Sequence, residues 1–124
     1  MSKILIVDDN RASRDLLRAI LKSVCSDIVE AKNGQEALDL IQQDRPDLVL
    51  LDIDMPVLDG LSAVRKIRQD PSLADLPVVA VTSFAMEGDR DKGLAAGFTM
   101  YLTKPVRASA LRQQVQQLLR HTVT

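Results

Sequence analysis

The strongest constraint on this chain is a rhythm of short apolar runs and longer amphipathic stretches, repeated five times over 124 residues. Ile4-Leu5-Ile6-Val7 is continuously apolar, not alternating, as a parallel strand buried on both faces requires. Residues 27–31 read as a second, weaker strand, 48–51 as a third, 77–81 as a fourth and 100–102 as a short fifth. Leu16, Leu17, Ile20, Leu21 and Val24 recur at helical spacing and form one apolar stripe. Asn33-Gly34 marks a turn, and a short helix over 35–43 turns Ala37, Leu38 and Ile41 inward. Leu61, Val64 and Ile67 mark a third helix that closes before Pro71. Residues 85–96 read as a fourth helix, weakened by Gly88 and Gly93, each costing about 1 kcal/mol of helix propensity relative to Ala. A last helix over 108–120 points Leu111, Val115, Leu118 and Leu119 inward. Strand and helix alternating in this way predict an α/β domain, with a parallel sheet and helices on both faces.

Several function classes are excluded early. Sixteen Lys+Arg against seventeen Asp+Glu leave a net charge of -1, without the basic excess that neutralises nucleic-acid phosphates. Aromatic residues make up 2% and Trp is absent, so a base-stacking platform has nothing to be built from. No apolar run approaches the ~20 residues of a membrane helix, and four apolar residues after Met1-Ser2-Lys3 are too few for a secretory signal. The single cysteine, Cys25, cannot form an internal disulfide or a zinc cluster. These features predict a cytoplasmic protein that binds neither nucleic acid nor membrane.

The residues closing each strand carry the functional signal. Asp8 and Asp9 follow the first, Asp52 ends the third, Thr82 ends the fourth and Lys104 follows the fifth. In open parallel sheets, ligands bind beyond the carboxyl ends of the strands. Taken singly, each residue has an ordinary explanation as a helix cap or a strand end. Together they place three carboxylates, a hydroxyl and an ammonium on one rim. Clustered carboxylates repel unless a proton or a cation intervenes. Hard oxygen ligands select Mg²⁺ or Ca²⁺, and a cage this incomplete leaves room for waters and a phosphate oxygen, which suits Mg²⁺. Lys104 supplies a point charge for a phosphoryl oxygen and Thr82 a hydrogen bond. Asp52 against the ion can act as nucleophile and form an aspartyl phosphate. The lone His121 falls in the tail after the last helix.

These residues, in Ile4-Leu5-Ile6-Val7-Asp8-Asp9, in the segment from Leu50 to Gly60, in Val81-Thr82-Ser83 and in Tyr101-Leu102-Thr103-Lys104-Pro105, resemble the receiver domain of two-component response regulators, in the single-domain form typified by the chemotaxis regulator. The resemblance covers essentially the whole chain. It implies a flavodoxin-like doubly wound five-stranded parallel sheet of order 2-1-3-4-5, an order for which the chemotaxis regulator is itself a standard example.

What the resemblance implies can be stated residue by residue. Asp52 is the phosphoacceptor, and Asp9 a direct Mg²⁺ ligand, with Asp8 acting through water and the backbone carbonyl of Asp54 as a further ligand. Lys104 pairs with the phosphoryl group. Thr82 moves to hydrogen-bond it, Tyr101 turns into the vacated space, and Pro105 follows a cis peptide. Asp54 and Ser83 depart from the commonest pattern, one adding a carboxylate and the other replacing a small apolar residue. A histidine kinase or phosphotransfer protein is the donor. A downstream effector reads the face formed by the fourth helix, fifth strand and fifth helix, with the domain a monomer or a phosphorylation-linked dimer. Residues 1–124 are then expected to be a single receiver without an output domain, catalysing only its own phosphorylation and dephosphorylation. Two alternatives differ in class. A haloacid-dehalogenase-type phosphatase fits Asp52-Ile53-Asp54, but the acidic pair would precede its nucleophile and no cap insertion is present. An unphosphorylated receiver-like scaffold requires a missing acid or Lys, and none is missing.

Overall fold

A computed structural model describes residues 2–53, 60–83 and 87–122. The elements run β1 (Lys3–Val7), α1 (Arg11–Leu21), β2 (Asp27–Ala31), α2 (Gly34–Gln43), β3 (Leu48–Asp52), α3 (Gly60–Arg68), β4 (Val78–Thr82), α4 (Glu87–Ala96), β5 (Met100–Thr103) and α5 (Ala108–Thr122). The strands form one parallel sheet in the order β2-β1-β3-β4-β5. This is the expected doubly wound architecture with its order 2-1-3-4-5.

The continuous apolar runs have the predicted cause. Every residue of β3 and β4 is buried, as is β1 from Ile4 onward. Side chains alternate along each strand, so each run feeds two cores. Leu5, Val7, Val49, Leu51, Val78 and Ala80 face Ala37 and Ile41 of α2 and Val64 and Ile67 of α3. Ile4, Ile6, Leu48, Leu50, Val79 and Val81 face Leu17 and Leu21 of α1 and Leu111 and Val115 of α5. The edge strands β2 and β5 are only partly covered, which explains their weaker signatures.

Several expectations are corrected. Helix α1 ends at Leu21, leaving Val24 in the following turn, and Leu16 points outward with 62% of its surface exposed. Asn33 is a helix cap, its side chain accepting from the Glu36 N–H at 2.8 Å, with the N-x-x-E spacing of a capping box. A 3-10 turn over Pro71–Leu73, capped by Asp70, was not expected. Helix α5 runs to Thr122, so His121 belongs to its last turn. Residues 85 and 86, the expected start of α4, lie outside the described residues. Among the described residues, no helix is long and apolar enough to cross a membrane.

Candidate functional site: an acidic cleft at the carboxyl rim

The acids converge because neighbouring parallel strands end side by side. Val7 pairs with Leu51 across β1 and β3, so Asp8 and Asp52 come next in register. The Asp8 N–H donates to the Ala31 carbonyl at 3.1 Å, prolonging the β1–β2 ladder by one residue. Asp52 pairs with Val81, and Thr82 with Thr103. The Lys104 N–H then donates to the Thr82 carbonyl at 2.7 Å, which fixes the root of the lysine at the same rim. The Lys104–Pro105 peptide is cis.

Three of these polar groups are almost fully covered: Asp8 is 1% exposed, Asp52 4% and Thr82 0%. Asp9 is exposed. The Lys104 Nζ lies 3.3 Å from Asp52 Oδ2 and 3.7 Å from Asp8 Oδ2. The Asn10 N–H donates to Asp8 Oδ1 at 2.9 Å. Burial pushes the Asp8 carboxyl up to about 6. The adjacent Asp52 charge adds to the rise, while the Asn10 N–H and Lys104 oppose it. One carboxylate oxygen each from Asp8, Asp9 and Asp52 can be chosen so that all lie within 4.8 Å of one another. That spacing and that hard-oxygen chemistry fit a divalent cation held by few protein ligands. Tyr101 sits half-buried on β5, its ring against α4 at Gly93, where an added Cβ would lie 2.7 Å from Cδ2. Of the expected site residues, Asp54 alone lies outside the described residues.

The family model for the response regulator receiver domain matches residues 4–116. The chain belongs to the response regulator receiver family. The polar-differentiation response regulator DivK of Brucella anthropi is 34% identical over 116 residues, covering 94% of each chain. The chemotaxis protein CheY4 of Vibrio cholerae superposes with a TM-score of 0.88 at 29% identity, covering 95% of this chain and 98% of that one. The receiver domain of sensor histidine kinase PA1611 from Pseudomonas aeruginosa superposes with a TM-score of 0.87 at 33% identity, covering 96% and 98%. That structure holds a magnesium ion in its active-site cleft. Receiver domains are phosphorylation-dependent signalling switches that interact with histidine kinases and downstream effectors. Membership therefore decides against the phosphatase alternative.

Two contributors escaped the sequence reading. Asn10 caps α1 through its side chain, which accepts from the Ser13 N–H at 3.0 Å, and it also holds Asp8 through its backbone. Arg14 is buried and donates to the Asp8 carbonyl at 2.7 Å. Its one sequence signal was a cation in phase with Leu17 and Leu21 on the inward side of α1.

Proposed function

We propose that Asp52 accepts a phosphoryl group from a histidine kinase or phosphotransfer protein, and that the cleft carries out this transfer and the later hydrolysis without turning over any other substrate. The observation that carries this reading is the placement of Asp52 against Lys104 and within reach of the Asp8 and Asp9 oxygens. In the transfer, an Asp52 carboxylate oxygen bonds to phosphorus as the donor's bond to phosphorus breaks, and the electron pair leaves with the donor. Lys104, whose side chain is 31% exposed, supplies the cation for the arriving phosphoryl oxygens. Thr82 lies on the adjoining strand with its hydroxyl able to donate to them. Asp9 and Asp52 would hold Mg²⁺, with Asp8 joining through water. When bound, Mg²⁺ supplies neutralisation of the phosphoryl charge.

The output would pass through α4, β5 and α5. New acceptor oxygens on Asp52 draw Thr82 toward them. Tyr101, beside β4 on β5 and against Gly93 of α4, then changes its packing, and the surface offered to an effector changes with it. The direct test is intact mass after incubation with acetyl phosphate and Mg²⁺. The parent gains one phosphoryl group, and Asp52→Asn and the parent in EDTA gain none. Equal labelling of the variant, or labelling undiminished in EDTA, refutes the assignment.

A further inference from the structure

A guanidinium is seldom fully buried unless it is paired. Arg14 is 8% exposed on the inward face of α1, in line with Leu17 at 7% and Leu21 at 0%. It has two partners. Its Nη1 donates to the Asp8 carbonyl oxygen at 2.7 Å, and its Nε donates to Glu30 Oε1 on β2 at 3.0 Å. Glu30 is itself fixed, because its other oxygen accepts from Arg18 Nε at 2.9 Å and Nη2 at 2.7 Å. Burial disfavours the Glu30 anion, yet the hydrogen bonds from Arg18 and Arg14 outweigh it and hold the carboxyl below its ordinary range.

The pattern is more than a staple between α1 and β2. Arg18 already joins those elements, through Glu30 and through the Ile28 carbonyl at 3.0 Å. What Arg14 adds is a tie to the first residue beyond β1. The Asp8 N–H is held by Ala31 and its carboxylate by the Asn10 N–H, so its carbonyl was the group still to be fixed. That carbonyl is coplanar with the N–H of Asp9, and its orientation sets the direction from which the Asp9 side chain departs. We propose that buried Arg14, braced by Glu30, is a positioning residue: it locks the Asp8–Asp9 peptide so that both carboxylates meet Asp52 around one divalent ion. The inference rests on the phosphoacceptor reading and deepens it.

The test follows two Mg²⁺ titrations on the full chain, one of melting temperature and one of acetyl phosphate labelling rate. Arg14→Met keeps the apolar stem and removes both donors. It is expected to raise about tenfold both the half-saturating Mg²⁺ concentration for labelling and the Mg²⁺ concentration that gives a set rise in melting temperature, the lower end of what loss of a ligand-orienting contact costs. The labelling rate at saturating Mg²⁺ stays near the parent's, since Asp52, Lys104 and Thr82 are untouched. Arg14→Lys keeps one donor but not the fork, and it restores part of the loss. Arg18→Met loosens Glu30 but leaves both Arg14 donors in place, and it shifts the midpoint much less than Arg14→Met. Glu30→Gln removes the charge that braces Arg14 and shifts the midpoint in the same direction as Arg14→Met. It decides the matter alone if Arg14→Met does not fold. An unchanged midpoint in the folded Arg14→Met, or in Glu30→Gln where that variant decides, overturns the inference and leaves Arg14 a structural staple. An equal shift in Arg18→Met overturns it as well. A parent that neither melts higher with Mg²⁺ nor takes label refutes the phosphoacceptor reading itself, and this inference with it.

Discussion

Replacing Asp8 by Asn should stabilise the metal-free protein while abolishing its response to divalent ions. The Asp8 carboxyl is raised from 3.8 to about 6, first by burial and then by the neighbouring Asp52 charge. At about 1.36 kcal/mol per pH unit, holding Asp8 ionised in the folded state costs about 3 kcal/mol. The attraction of Lys104, 3.7 Å away, is already contained in that net figure. Asn keeps the shape and keeps an acceptor for the Asn10 N–H. Its amide can also donate toward Asp52, where Asp8 repels.

The sign with pH follows from linkage. Between pH 4 and 6 the unfolded chain releases the Asp8 proton while the folded chain retains it. Folding then binds protons, and the parent loses stability as pH rises through that window. Below it both states are protonated and the cost disappears. Asp8→Asn should therefore exceed the parent by about 3 kcal/mol at pH 7.5 in EDTA, or roughly 10 °C in melting temperature for a domain this size, and by little at pH 4. Urea denaturation at both pH values measures the difference, and a Mg²⁺ titration of melting temperature measures the lost response. A variant less stable than the parent at pH 7.5, or a difference independent of pH, would refute the account of Asp8.

Two glycines give further tests. Gly97 has φ +126, and an added Cβ would lie 2.6 Å from Arg68 Cγ, whose guanidinium is held by the Gly97 and Leu73 carbonyls at 2.9 and 2.8 Å. Gly97→Ala should cost about 1–3 kcal/mol in urea denaturation while labelling of Asp52 persists, and a neutral result would refute that strain. Gly93→Ala should displace the Tyr101 ring, which occupies the space a Cβ needs, while a helix-propensity gain of about 1 kcal/mol offsets the disturbance. Tyr101 is the protein's one tyrosine and there is no tryptophan, so tyrosine emission and its quenching by iodide report this ring alone. Unchanged quenching in Gly93→Ala would mean that the ring does not rest on Gly93.

The three inner strands were legible in the sequence because burial on both faces leaves no polar position to blur the run. Asp8, Asp9, Asp52, Thr82 and Lys104 were legible for a related reason. Where apolar runs stop together, the next residues share a rim. The phase of α1 is not legible from its apolar residues alone. The inward stripe includes Arg14 and leaves out Leu16. What buries Arg14 is Glu30, sixteen residues away in the chain, together with the Asp8 carbonyl. Neither partner leaves a mark on helical periodicity. Asn33-Gly34 was read as a turn because both residues favour turns, and Glu36 was the signal that made Asn33 a cap.

The charges of the cleft explain why it carries a group that costs stability. Among the described site residues, Asp8, Asp9 and Asp52 when ionised set three negative charges against the one positive charge of Lys104, a deficit that a dication matches. Lowering the pH through about 6 fills part of that deficit with a proton on Asp8, so proton and cation compete and ion affinity falls with acidity. Transfer deepens the deficit. In the proposed reaction Asp52 would give up its single charge and carry instead a phosphoryl group bearing about two. Among the described site residues, Lys104 would then face four negative charges. The cleft therefore calls for a divalent ion more strongly after transfer than before it. A neutral residue at position 8 would relieve the strain of the resting state and weaken the site in the state that signals.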